Sequence, residues 1–268
     1  MTLDPQMIAV MKKRATLTGR AGDVADLALD EIRNGYNAER VWWNEIKPEM
    51  HDVINTHVAG PVRDIPIRIY KPNDLDEGPT LLYLHGGGWI LGNLETHDRV
   101  MRLLADFSGA WVVGVDYALS PEYKFPVALN EVRAVLDWLQ AHGPDHGLDS
   151  AKLGIGGDSA GANLAVSVTQ LYHQQNPGLI QFLLLYYGAY GLTESASWQQ
   201  YGNAEFEFTR EEKEFYLTSY LGDAHDRNDP RFNVLKGDIG LLPRAFIAAA
   251  ECDPLQDDSI ALYKAMER

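Results

Sequence analysis

The stretch Gly157-Asp158-Ser159-Ala160-Gly161 constrains this chain more than any other part of it. It lies where an apolar run, Leu153 to Gly156, gives way to a helical pattern from Asn163 to His173. A serine in a G-x-S-x-G stretch between strand and helix sits in a sharp turn, with a strained backbone that only small neighbours permit. Gly157 and Gly161 supply that room, and the helix beginning there aims free N–H groups and its positive dipole end at the serine oxygen. The same five residues also arise by chance in glycine-rich loops, so the surrounding pattern decides.

That pattern alternates. Residues 1–45 read as helical, with Met7, Ile8, Val10 and Met11 and later Val24, Leu27, Ala28 and Ile32 at helix spacing. The Trp42-Trp43 pair is expected to pack into the body of the protein. Val53–Val58 and Ile65–Tyr70 read as strands, the second alternating as an antiparallel strand does. Thr80–Leu84 and Trp111–Val115 are continuous apolar runs, the signature of parallel strands buried on both faces. Between them a helical pattern runs from Thr96 through Val100, Leu103, Leu104 and Phe107 to Gly109, and Val127–Leu139 returns to helix. His142–Asp149 is a Gly/Pro loop. Beyond the serine come a strand at Ile180–Tyr187, an insertion without strands at about 190–225, a strand at Arg244–Ala250 and a helix at Ser259–Met266. Strands alternating with helices predict right-handed crossovers and a mostly parallel sheet, an α/β fold.

Composition limits the rest. A length of 268 residues suits one α/β domain with an insertion, and 46% hydrophobic with 23% charged residues is ordinary for a globular protein. A net charge of −15 argues against nucleic acid and against anionic lipid as partners. The single cysteine, Cys252, excludes an internal disulfide, and no secretory pattern opens the chain, so the expected location is the cytoplasm. The apolar stretch Leu179–Tyr190 is too short and too glycine-broken to span a bilayer.

A second glycine-rich stretch, His85-Gly86-Gly87-Gly88-Trp89, follows the buried run Thr80–Leu84. No G-K-[ST] follows it, which excludes a P-loop, and Ser159 occupies the place of the third glycine of a dinucleotide fingerprint. Acyl transfer at an ester needs a nucleophile, a base and donors for the developing oxyanion. Ser159 is the candidate nucleophile; the backbone N–H groups of Gly86, Gly87, Gly88 and Ala160 are the candidate donors. Asp253 lies just past a late strand, where an acid that orients a histidine belongs, although Asp before Pro254 is also an ordinary turn former. Trp89 and Tyr187, each just past a strand end, are candidate pocket walls. His142 and His146 lack a third ligand nearby, so neither a metal nor any other cofactor is expected.

The chain resembles the hormone-sensitive-lipase-like family of α/β-hydrolases, and within it the bacterial acetyl esterases. The resemblance rests on His85-Gly86-Gly87-Gly88-Trp89, Asp116-Tyr117-Ala118-Leu119-Ser120-Pro121-Glu122, Phe125-Pro126-Val127-Ala128-Leu129, Gly157-Asp158-Ser159-Ala160-Gly161 and Asp253-Pro254-Leu255-Gln256-Asp257-Asp258. It implies a helical cap made of residues 1–45 and the 190–225 insertion, over a hydrolase body of residues 46–268. It also implies metal-independent hydrolysis of small, short-acyl esters, with Ser159 as nucleophile, Asp253 as triad acid and Gly87, Gly88 and Ala160 as oxyanion donors.

One departure stands out. In this family the triad histidine follows the acid, yet all eight histidines here precede Asp253. The resemblance therefore implies a C-terminal strand and histidine loop that this sequence lacks, with impaired turnover as the expectation. It also implies an exposed sheet edge at Arg244–Ala250, through which copies could pair into a homo-oligomer. The alternative is a catalytically dead protein that binds a small molecule on the same fold.

Overall fold

The computed structural model describes residues 3–18 and 27–267. Its centre is a seven-stranded sheet: β1 (Asp52–Ala59), β2 (Asp64–Lys71), β3 (Gly78–Leu84), β4 (Trp111–Val115), β5 (Leu148–Asp158), β6 (Ile180–Tyr186) and β7 (Ala245–Ala248). The strands lie in the order β1-β2-β4-β3-β5-β6-β7. The first two pair antiparallel, with each other and with β4, and β4 through β7 are parallel. The continuous apolar runs became the interior strands, as burial on both faces requires.

Alternation along β3 shows how each face is filled. Leu82 and Leu84 point into the larger core with Val113, Val115 and Ile155, whereas Leu81 and Tyr83 join Tyr70, Met101 and Val112 on the opposite face. The second face is covered by α3 (Asp98–Ser108), which ends at Gly109 in the left-handed conformation. Its buried stripe is Met101 and Ala105 with Leu104 beside them, and Phe107, expected on the apolar face, is 82% exposed. The larger face carries α4 (Val127–His142) and α5 (Ala160–His173).

At the N-terminus, α1 (Pro5–Thr18) and α2 (Leu29–Trp43) pack on each other. The expected helical positions Leu27 and Ala28 precede α2, with the Glu31 carboxylate accepting the Ala28 N–H, and Val24 lies outside the described residues. Trp42 and Trp43 are not core residues. They meet edge to face at 4.5 Å while half-buried, because Lys13 covers Trp42 and Glu39 accepts the Trp43 indole N–H. The 190–225 insertion holds α6 (Ala196–Tyr201) and α7 (Arg210–Tyr220), and α8 (Gln256–Met266) follows β7. The last strand is shorter than the apolar pattern, Ala245–Ala248 instead of Arg244–Ala250, and it forms the edge of the sheet with Phe246 exposed. No helix among the described residues is long and apolar enough to cross a membrane.

Helix α5 is buried nearly all round, so its polar residues need partners. They find them in the irregular segments on either side of the insertion. Asn163 donates to the carbonyls of Ala189 and Phe232, both at 2.8 Å, Ser167 donates to Arg231, and Gln170 donates to Val234. These bonds fix the helix that starts at the serine turn to the loops around it. Asn163→Ala leaves the half-buried Ala189 carbonyl without this donor and the Phe232 carbonyl with the Val234 N–H alone, and the expected loss is about 1–3 kcal/mol in denaturant unfolding. A loss below about 0.5 kcal/mol, the range of an ordinary surface change, would contradict this assignment.

Candidate active site

Ser159 sits at the junction of β5 and α5 with φ 51° and ψ −115°, a conformation that side chains rarely adopt. Its N–H donates to the carbonyl of Tyr186 at 2.9 Å, tying the turn to the end of β6. The flanking glycines are required. A Cβ on Gly161 would lie 2.0 Å from the carbonyl oxygen of Leu84, and one on Gly157 2.4 Å from the same atom. The turn is thus pressed against the end of β3, directly before the His85–Trp89 loop.

That loop is held from behind by Asp158. One oxygen of its buried carboxylate accepts the Tyr83 hydroxyl at 2.8 Å and the Gly86 N–H at 3.0 Å, and the other faces His97 Nε2 at 3.5 Å. Burial alone would raise the Asp158 pKa, yet His97 and the Tyr83 hydroxyl hold it down to about 2, so the carboxylate stays charged. His85 stacks on Tyr117 at 4.2 Å and donates from Nδ1 to the carbonyl of Gly86. Burial drives its pKa down to about 3, so the ring is neutral near pH 7.

The Gly86 N–H is therefore spent on Asp158. Gly86 was an expected oxyanion donor, and the structure corrects this: its N–H anchors the loop and is not free for a ligand. The N–H groups of Gly87, Gly88 and Ala160 bond to no acceptor among the described residues. Gly87 and Gly88 have φ of 124° and 60°, which only glycine tolerates well, and a Cβ on Gly88 would collide with the Tyr216 ring at 2.3 Å.

Two cavities meet at Ser159 and Gly88. The smaller, about 250 Å³, is walled by Trp89, Leu192, Trp198, Leu217 and Phe232, with Lys213 and Asp258 among its polar members. The larger, about 720 Å³ and more open, lies toward α2 and includes Tyr187, Tyr36 and Arg40. Trp89 and Tyr187 thus stand in the walls of different cavities. Trp89 is fixed by stacking on Tyr220 at 4.6 Å, and Tyr187 stays 40% exposed.

Asp253 follows β7, half-buried, with one oxygen accepting the Leu255 N–H at 2.7 Å, and burial raises its pKa. No hydrogen bond among the described residues joins Ser159 Oγ or the Asp253 carboxylate to a histidine ring.

Sequence reasoning missed two groups. His97 is one; its pairing with Asp158 had no signal beyond the polar triplet Thr96-His97-Asp98 at the start of a helix. Asp258 accepts three backbone N–H groups, from Tyr190, Gly191 and Leu192, on a single oxygen. Burial nevertheless pushes its pKa up to about 6.

With this geometry in place, likeness to known proteins becomes informative. Residues 81–268 match the model of a family described as having the α/β-hydrolase fold. The chain is 40% identical over 246 residues to an acetyl esterase of Salmonella dublin, covering 91% of this chain and 76% of that relative. The chain belongs to the hormone-sensitive-lipase-like α/β-hydrolases. A hyperthermophilic esterase of the archaeon Pyrobaculum calidifontis superposes with a TM-score of 0.94 at 30% identity, covering 100% of this chain and 86% of its own. A thermostable carboxylesterase cloned from a metagenomic library gives 0.87 at 31% identity, covering 90% and 83%. The strand order, the serine turn and the glycine-rich loop of this α/β-hydrolase are the features that such a family shares on physical grounds.

Because the Asp258 pKa is higher in the folded chain than in a free carboxyl, the folded state binds more protons between about pH 4 and pH 6, and stability falls as pH rises through that window. Asp258→Asn keeps an acceptor for the three N–H groups and removes the buried charge. It should stabilise the protein by up to about 2–3 kcal/mol at pH 7.5, with the gain gone below about pH 4. Thermal unfolding at the two pH values checks this, and a variant less stable than wild type at pH 7.5 would refute it.

Proposed function

We propose that this chain is a carboxylic ester hydrolase of the acetyl-esterase type, acting on small, short-acyl esters through an acyl-serine at Ser159. The observation that carries the reading is the strained Ser159 turn, which with Gly88 lines both cavities and is flanked by the unpaired N–H groups of Gly87, Gly88 and Ala160. The names of its relatives, acetyl esterase and esterase, agree with it.

In the first half-reaction Ser159 Oγ bonds to the ester carbonyl carbon, whose oxygen becomes an oxyanion facing the free N–H groups. The carbon–alkoxide bond then breaks, and the alcohol departs with the proton that Ser159 gave up. Water repeats the sequence on the acyl-serine and releases the acid. The enclosed smaller cavity suits the acyl part, which stays attached through both steps; the open larger one suits the alcohol, which must leave. On this reading the described parts of the N-terminal segment, 3–18 and 27–45, together with the 190–225 insertion would serve as the cap over the hydrolase body that begins at residue 46.

Asp253 is the group that would orient a general base, and no histidine follows it in this chain. A second reading is a binding protein that uses the same two cavities without chemistry.

Hydrolysis of p-nitrophenyl acetate by the 268-residue chain, beside Ser159→Ala, separates the two readings. Turnover that Ser159→Ala abolishes supports the hydrolase. Rates equal to background in both proteins contradict it and leave the binding reading.

A further inference from the structure

Among the described residues, four border both cavities: Ser159, Gly88, Phe208 and Tyr216. Ser159 and Gly88 belong to the serine turn and the glycine loop, so the side chains of Phe208 and Tyr216 are what the two spaces share. Their rings meet edge to face with centroids 6.2 Å apart. The Tyr216 ring also rests on the backbone of Gly88. A Cβ there would lie 2.3, 2.7 and 2.8 Å from its Cδ1, Cγ and Cε1, so one edge of the ring lies against the glycine loop.

Both rings are held by their own surroundings. Phe208 lies edge to face on the buried Trp198, with centroids 5.1 Å apart. Tyr216 packs against Ile32, Ile90 and Leu91, a cluster that joins α7 to α2 and to the residues just past the glycine loop. Between the two rings the chain enters α7 through a capping box. Thr209 Oγ accepts the Glu212 N–H at 3.1 Å, and the Glu212 carboxylate accepts the Thr209 N–H at 2.9 Å. That cap fixes how the chain enters the helix, so Phe208, directly before it, meets Tyr216, about two turns along.

We infer that the Phe208–Tyr216 pair is the partition that limits the length of the acyl chain, and that it acts by shape, through the Tyr216 ring and not its hydroxyl. This rests on the ester-hydrolase reading above, in which the smaller cavity holds the acyl part. While the two rings stand, a chain leaving the acyl carbon at Ser159 has only the smaller cavity of about 250 Å³; without them the larger one, about 720 Å³, is open to it. A packed wall rejects a chain too long for it because neither can yield without strain, and one methylene too many is worth on the order of 10–200-fold.

Alkylphosphonate p-nitrophenyl esters with methyl, butyl or octyl on phosphorus place an alkyl chain where the acyl chain would lie. Ser159 Oγ bonds to phosphorus, p-nitrophenolate leaves and the serine proton passes to solvent. The rate of adduct formation at Ser159, divided by each probe's own hydrolysis in buffer, gives a chain-length profile that needs no turnover. In wild type the methyl probe should label at least about tenfold faster than the octyl probe. Tyr216→Ala should bring the two within about threefold, and Phe208→Ala, on the other side of the cap, should lower the ratio several-fold. Tyr216→Phe keeps the ring and should keep the ratio. Phe215→Ala should keep it as well, because Phe215 packs in the same cluster as Tyr216 but borders neither cavity, which separates the partition from a general loosening of α7.

A wild-type rate independent of chain length, or a ratio that Tyr216→Ala and Phe208→Ala leave unaltered, would overturn the inference, as would a ratio lost in Tyr216→Phe or Phe215→Ala. If the selectivity fails while p-nitrophenyl acetate is still hydrolysed through Ser159, the inference alone is wrong. If no probe labels Ser159, the ester-hydrolase reading fails and the inference with it.

Discussion

The carboxylate of Asp158 ties back at three points to one stretch much earlier in the chain: Tyr83 at the end of β3, Gly86 in the loop beyond it and His97 ahead of α3. Its own position is set by the serine turn that follows it. The close approach of Gly157 and Gly161 to the Leu84 carbonyl brings that turn against β3, and the Asp158–Gly86 bond then fixes the glycine loop over it. Tyr117 adds a fourth tie by donating to the His85 carbonyl at 2.6 Å. Free N–H groups beside Ser159 are therefore a product of the packing behind them, with the His85 ring, donating to the Gly86 carbonyl, adding a hold from within the loop.

Two aspartates near the site show how environment divides one residue type. Asp158 is buried among donors and a histidine, and its pKa drops to about 2. Asp258 is equally buried, but against backbone N–H groups and an apolar cavity, and its pKa rises to about 6. Hydrogen bonds from backbone amides offset only part of the desolvation when all of them fall on one oxygen. The difference keeps Asp158 charged in mildly acidic solution, where Asp258 takes up a proton.

Much of the fold was legible in the sequence because buried parallel strands cannot look like anything else. Thr80–Leu84 and Trp111–Val115 read as continuous apolar runs, and both lie in the sheet interior. Ends were harder to place. Phe107 fitted the helical period and still faces solvent, and β7 is shorter than its apolar run, because an edge strand pairs on one side only. At the site, Ser159 and the glycine loop were readable from backbone demands that only glycine meets. The duty of the Gly86 N–H was not, since a glycine's spacing does not say which acceptor its N–H will find. The links of His97 to Asp158 and of Asp258 to the 190–192 loop join segments about 60 or more residues apart, and local pattern carries no trace of them.

The central claim is that packing behind Ser159 makes it a reactive serine facing free N–H groups. Incubation with a p-nitrophenyl alkylphosphonate, followed by peptide mass mapping, tests it most directly. A single adduct on Ser159, forming faster than on an unstructured serine peptide and slowed by Asp158→Asn, is the predicted result. Labelling elsewhere, or at Ser159 no faster than in the free peptide, would contradict the account.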